Sequence, residues 1–182
     1  MKKIIFLLFI STICFSQNEV DSLSYYFKSG KYDKAIKFGE KKLNNSKDEN
    51  IEHLLLLNNL GKVYSHVEKF DLALKCFREE QTILIKNVGE TNINVAYNFK
   101  EIGNIYGLQD KYDVAENNLI KALNIFSKVS GVNSKEYIEC LSKLAYNYHK
   151  LRNNTEAEKL FLESIKLYYN NFNNPLDKSV GL

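Results

Sequence analysis

Proline is almost missing from this chain. Its 182 residues hold one proline, Pro175, and only eight glycines. A loop-rich all-β domain needs more of both, so the scarcity favours long helices. Cysteine is also scarce, with Cys14, Cys76 and Cys140 the three present. No two of them have a metal-ligand spacing, and histidine, present only as His53, His66 and His149, never recurs at i, i+4. No G-x-S-x-G, phosphate-cradling glycine loop or Cys–His pairing occurs, which leaves catalysis without a carrier and predicts a non-enzyme with no cofactor and no metal. Adjacent acids such as Glu79-Glu80 read as a solvated helix face. Charge of one sign is lacking as well. The formal net charge is +3, and without Lys2 and Lys3 the balance is 23 basic against 22 acidic residues, or +1. Bulk charge therefore predicts no nucleic-acid partner.

Long apolar runs are confined to the start of the chain. Met1-Lys2-Lys3 is a short basic segment, Ile4 to Ile10 is purely apolar, and the segment continues to Ser16. This is the layout of a secretory signal peptide, with cleavage expected after Ser16 to leave Gln17 first. The run is too short to span a bilayer stably. The alternative is a buried N-terminal helix. Ile13, large and directly before Cys14, argues against a lipoprotein signal. The mature chain is expected in the periplasm or secreted, with no integral membrane segment.

What is abundant is a repeat. Leu57, Leu60, Gly61 and Tyr64 are followed by Ala73 and Phe77; Phe99, Ile102, Gly103 and Tyr106 by Ala115 and Leu119; Leu141, Leu144, Ala145 and Tyr148 by Ala157 and Phe161. A weaker copy holds Leu23, Tyr26 and Ala35, with Gly39 in the last slot. The alanines stand 38, 42 and 42 residues apart. A period of this size means stacked supersecondary units. Each unit predicts two helices with apolar stripes at helical spacing. Short turns fall at Gly30-Lys31, Glu68-Lys69, Asp110-Lys111 and Arg152-Asn153-Asn154. Longer breaks fall at Gly89–Asn92 and Gly131–Ser134, with Thr91 or Ser134 as candidate caps. The small residues Gly61, Gly103, Ala145, Ala73, Ala115 and Ala157 are expected to let paired helices approach closely, flanked by Tyr64, Tyr106 or Tyr148 and by Phe77, Leu119 or Phe161. The two later cysteines lie two units apart on this scheme, too far for a disulfide.

These residues resemble the tetratricopeptide repeat, and the 42-residue period with Leu57-Asn58-Asn59-Leu60-Gly61 resembles the kinesin-light-chain variety of exported bacterial arrays. The resemblance covers about residues 18 to 170. It implies an all-α fold, an α-solenoid of about four antiparallel helix pairs. The expected organisation is a signal peptide at 1–16, an array at 17–170 with units at about 17–48, 54–89, 92–131 and 134–170, and a flexible tail or truncated further repeat at 171–182.

The resemblance also implies a non-catalytic scaffold whose concave face, lined by first helices, binds a protein or an extended peptide. The exposed first-helix positions are Asn58, Asn59 and Lys62, then Tyr97, Lys100 and Asn104, then Ser142, Tyr146 and His149. Asn amides can pair with a peptide backbone, and lysines attract carboxylates. Lys100 and Asn104 resemble part of a carboxylate clamp, whereas Lys143 stands where that clamp has Asn. An exposed face on the last unit predicts self-association or partner docking there. The alternative function is the sensory or regulatory part of a longer signalling enzyme, a sensor histidine kinase or a CHAT-domain protein.

Overall fold

The computed structural model describes residues 22–46 and 50–172. The signal peptide expected at 1–16 and most of the expected tail lie outside those residues. Within them the chain is helical and no strand occurs. A helical segment at 22–28, α1, precedes α2 (Tyr32–Asn45), α3 (Ile51–His66), α4 (Phe70–Val88), α5 (Ile93–Leu108), α6 (Tyr112–Val129), α7 (Lys135–Lys150) and α8 (Asn154–Phe172). The helices fall into two compact units, Met1–Ile83 and Leu84–Leu182, with the boundary inside α4.

The turns inside the helix pairs share one backbone solution. Gly30, Glu68, Asp110 and Arg152 all adopt left-handed φ, between 58° and 69°. The next residue's N–H then reaches back to the carbonyl of the repeat tyrosine. Lys31 bonds to Tyr26 O, Lys69 to Tyr64 O, Lys111 to Tyr106 O and Asn153 to Tyr148 O, at 2.8–2.9 Å. These bonds satisfy carbonyls that a helix end otherwise leaves open. Three of the four turns place a side chain where glycine is favoured, at a local cost of about 1–2 kcal/mol each. The breaks between pairs use glycine instead, Gly89 at φ 80° and Gly131 at φ 85°. Ser134 caps α7 through Tyr137 N–H. At α5 the cap is Asn92, accepting from Asn94 N–H, and not Thr91: the helix starts one residue later than a Thr91 cap requires.

Packing explains the small residues. A Cβ on Gly61 of α3 would stand 2.9 Å from the ring of Phe77 on α4, and Phe77 is fully buried. On Gly103 of α5 a Cβ would stand 3.0 Å from Leu119 and 3.2 Å from the Ala115 carbonyl of α6. Gly39 of α2 has the same tightness, with Leu23 and Leu60 at 2.8 and 3.0 Å. Its place in the weak first copy is thus a packing substitution: α1 carries Leu23 where the other first helices carry Gly or Ala, and Gly39 opposite makes the room. In the C-terminal unit Leu119, Ala122 and Phe126 of α6 join Cys140, Leu141, Leu144 and Ala145 of α7 and Leu160 of α8 in one core. Burying each large side chain there contributes about 1.5–3 kcal/mol.

Candidate binding clefts

The C-terminal unit contains a cavity of about 440 Å³. Gly103, Asn104, Gly107 and Leu108 supply one wall from the second half of α5. Ser142, Lys143, Tyr146, Asn147 and Lys150 supply the other from α7, and Tyr112 and Leu119 of α6 close it. The two walls share two repeat positions, since 104 and 108 become 146 and 150 on adding 42. First helices of successive pairs therefore border one cleft, and glycine at 103 and 107 keeps the α5 wall low.

Its charges have uncharged partners. Lys143 Nζ donates to the Asn104 amide oxygen at 2.9 Å. The Lys150 ammonium lies 5.4 Å from the centroid of the Tyr146 ring, a cation–π distance, and Tyr146 is 53% exposed. The one lining carboxylate, Asp110, accepts from the Tyr112 hydroxyl, and this bond pushes the phenol up to about 12. Asn147 is buried and donates to the Tyr112 carbonyl at 2.9 Å, which ties α7 to the start of α6. The cleft is thus a polar, net-positive trough with an apolar floor.

Of the residues expected on the first-helix face, Asn104, Ser142 and Tyr146 line this cleft. His149 is exposed but does not line it. Tyr97 and Lys100 turn instead toward α7. Tyr97 donates to Glu136 at 3.1 Å, and burial followed by that bond raises its phenol. Lys100, expected to be exposed, is 8% exposed, with its ammonium 3.7 Å from Glu139 and 5.2 Å from the Tyr97 centroid. The reason is α7: its first turns bring Glu136 and Glu139 over that part of α5. Ser142 spends its hydroxyl on the Ile138 carbonyl, 3.0 Å away. Asn147 and Lys150 are not among the expected residues, and Lys143 is expected only as a departure from a carboxylate clamp; the lining includes 142 and 146 of the expected stripe and extends round the helix to 143, 147 and 150. The i, i+4, i+7 spacing of these three polar residues was the available signal.

Asn58, Asn59 and Lys62 belong to the N-terminal unit, all half-buried. Asn58 donates to the buried Glu80 of α4 at 2.9 and 3.2 Å. A cavity of about 480 Å³ in this unit lies elsewhere, among Glu40 and Leu43 of α2, His53 and Tyr64 of α3, and Lys75, Cys76 and Glu79 of α4. Its polar groups are largely joined to each other. Tyr64 donates to Glu40 at 2.6 Å, and burial first, then this bond, raises the phenol. The His53 ring meets Ser46 at 3.1 Å and Glu79 at 3.4 Å. Burial lifts the Cys76 thiol from 9.0 to about 12, which removes it from nucleophilic use at neutral pH.

Among the described residues no group of three His, Cys, Asp or Glu is placed to hold a metal, and no helix is long and apolar enough to cross a membrane.

Residues 92–170 match the family model described as tetratricopeptide repeat. An Arabidopsis thaliana relative, Protein KINESIN LIGHT CHAIN-RELATED 1, is 28% identical over 109 residues, which is 59% of this chain and 18% of that protein. Among solved structures, BtubC (BKLC) from P. vanneervenii superposes with a TM-score of 0.71 at 18% identity, covering 81% of this chain and 60% of that one. The nearly identical TPR-like repeats of a Podosopora anserina kinesin-light-chain-type protein give 0.74 at 14% identity, covering 87% and 78%. The structural likeness establishes an all-α, α-solenoid fold class. The chain spans less than two thirds of the length of the curated relative and of BtubC.

Proposed function

From a chain that carries kinesin-light-chain-like tetratricopeptide repeats, a scaffold suited to protein binding, we propose that the cleft between α5 and α7 binds an extended, acidic peptide segment of a partner protein. The observation that carries this reading is the state of its lysines. Lys143 and Lys150 are held by an amide and a ring, so their charge stays available to a ligand carboxylate. Asn104 can exchange its bond to Lys143 for one to a peptide backbone, and Tyr146 and Leu108 offer apolar contact. The role is non-catalytic. The test is selection from a displayed library of extended peptides. Acidic sequences should be enriched by the native chain and lost with Lys143→Glu, and binding should weaken as salt rises. Selection with no charge preference would overturn the reading.

Export is part of the proposal and rests on the basic, apolar and small-residue layout of residues 1–16. Gln17 is then the first residue of the chain recovered from an envelope or culture fraction. Recovery of a chain still beginning at Met1 would oppose it.

A further inference from the structure

The second helices of the pairs share an outward face that the fold leaves open. Relative to Ala35, Ala73 and Ala115, the residues one before, two after and six after are exposed in α2, α4 and α6 alike. They turn within about 60° of one another. In α2 they lie opposite the buried side, which is Ala35, Ile36 and Gly39. Helix α6 is packed by both α5 and α7 and still exposes these positions, so their exposure does not come from a chain end.

What fills this face differs from helix to helix. Helix α4 carries Leu72, Lys75 and Glu79, and α6 carries Val114, Asn117 and Lys121. The equivalent residues of α8 are Glu156, Lys159 and Glu163. Of these four helices only α2 has three lysines there, Lys34, Lys37 and Lys41. Packing places the same demand on all four, so the uniform sign in α2 is not a packing requirement. Among the described residues none of the three lysines is in an ion pair. The acids of α2, Asp33 and Glu40, stand about 100–120° round from Lys34. Glu40 accepts from Tyr64. Residues 22–46 hold six lysines against these two acids, whereas the chain without Lys2 and Lys3 balances at +1. Aromatic rings border the row. The Lys31 ammonium, at the start of α2, lies 5.7 Å from the centroid of the Tyr25 ring, and Tyr25 is 60% exposed. The Lys42 ammonium lies 5.8 Å from the Phe38 centroid.

We infer that this lysine face of α2, with Tyr25 at its end, seats the protein on the surface of an anionic phospholipid bilayer. The residue types select lipid over other polyanions. Lysine is a hydrated point charge on a flexible stem, which suits a diffuse array of headgroup phosphates. Arginine, whose planar fork grips phosphates bidentately and stacks on bases, does not occur in residues 22–46. An exposed tyrosine beside lysines suits the headgroup layer, with its ring toward the apolar boundary and its hydroxyl in water. This inference is independent of the α5–α7 cleft.

The test is co-sedimentation of the chain beginning at Gln17 with phospholipid vesicles. That chain keeps every described helix and lacks the apolar run of Ile4 to Ile10, which would enter lipid by itself. Vesicles of phosphatidylcholine and phosphatidylglycerol in equal parts should retain it, and phosphatidylcholine alone should not. Lys34→Gln, Lys37→Gln and Lys41→Gln combined should lower partitioning by about tenfold or more, with the helical circular dichroism intact. The control combines Lys75→Gln, Lys121→Gln and Lys159→Gln, which removes the same charge from the same face of the other second helices. Its loss should stay below about threefold. Tyr25→Ala should weaken partitioning several-fold. No retention on the anionic vesicles overturns the inference. Equal losses in the two triple variants also overturn it, because bulk charge would then suffice. An RNA homopolymer that displaces the chain completely at equal phosphate concentration would assign the face to nucleic acid and overturn it as well.

Discussion

In the N-terminal unit the cleft around α3 has Tyr64 bonded to Glu40 and the His53 ring to Ser46 and Glu79, so its polar groups are largely spent on each other. In the C-terminal unit the cleft between α5 and α7 has two lysines resting on an amide and an aromatic ring. The cavities are similar in size, about 480 and 440 Å³. Volume does not separate them; the sign of the lining charge does, with Glu40, Glu79 and Lys75 in the first against Lys143, Lys150 and Asp110 in the second. A trough with two carboxylates and one lysine disfavours an acidic segment, and one with two lysines and one carboxylate attracts it.

The largest expected effects test the packing that both units share. Phe77→Ala should cost about 3–5 kcal/mol, because the ring is fully buried against Gly61. The repeat-equivalent Phe161→Ala in α8 should cost clearly less, because Phe161 is only half-buried. Equal losses in thermal or urea unfolding would contradict that ranking. Gly61→Val should cost about 1–3 kcal/mol through overpacking on Phe77. Gly107→Ala, on a glycine of the other unit that does not align with Gly61, should act the opposite way. A Cβ there meets only Ala115 Cβ, at 4.0 Å, so the gain in helix propensity should prevail, stabilising by up to about 1 kcal/mol. Smaller still is Glu68→Gly. It relieves a left-handed side chain at φ 59° and should stabilise by about 0.5–1 kcal/mol after the added freedom of the unfolded chain is counted. Asp110→Gly should gain less, since it also loses the bond from Tyr112.

The cysteines give a pH test common to both units. Burial lifts Cys76 and Cys140 from 9.0 to about 12. The folded state thus keeps protons that the unfolded state releases, so this contribution is complete below pH 9 and is lost as pH rises from about 9 toward 12. Denaturant midpoints should fall across that window. Replacing both residues with Ser should flatten the fall, and an unchanged slope would contradict it.

The fold class was legible because the information is periodic. Gly or Ala on a first helix, Tyr three residues later and Ala nine residues after that recur in step, and each meets a steric requirement that a sequence can display. The left-handed turns were legible as short breaks but not as one shared conformation, since Glu68, Asp110 and Arg152 are not residues that announce positive φ. Much of the candidate site was not legible. Which face of α5 and α7 borders the cleft depends on helix rotation, and one residue of rotation exchanges His149 for Lys150 and Ser142 for Lys143 as the more telling neighbours. Lys100 shows the same difficulty: its burial comes from Glu139, on a helix 39 residues away in sequence, and no local pattern encodes that meeting.

The most direct test of the central claim is a charge-reversal measurement on the α5–α7 cleft. Peptides selected by the full chain should be titrated against the native protein, Lys143→Glu, Lys150→Glu and, as the control from the other unit, Lys75→Glu. Acidic peptides should lose tenfold or more in affinity with either cleft substitution and almost nothing with Lys75→Glu. Equal losses at all three positions, or none at Lys143 and Lys150, would contradict the assignment of this cleft as the binding surface.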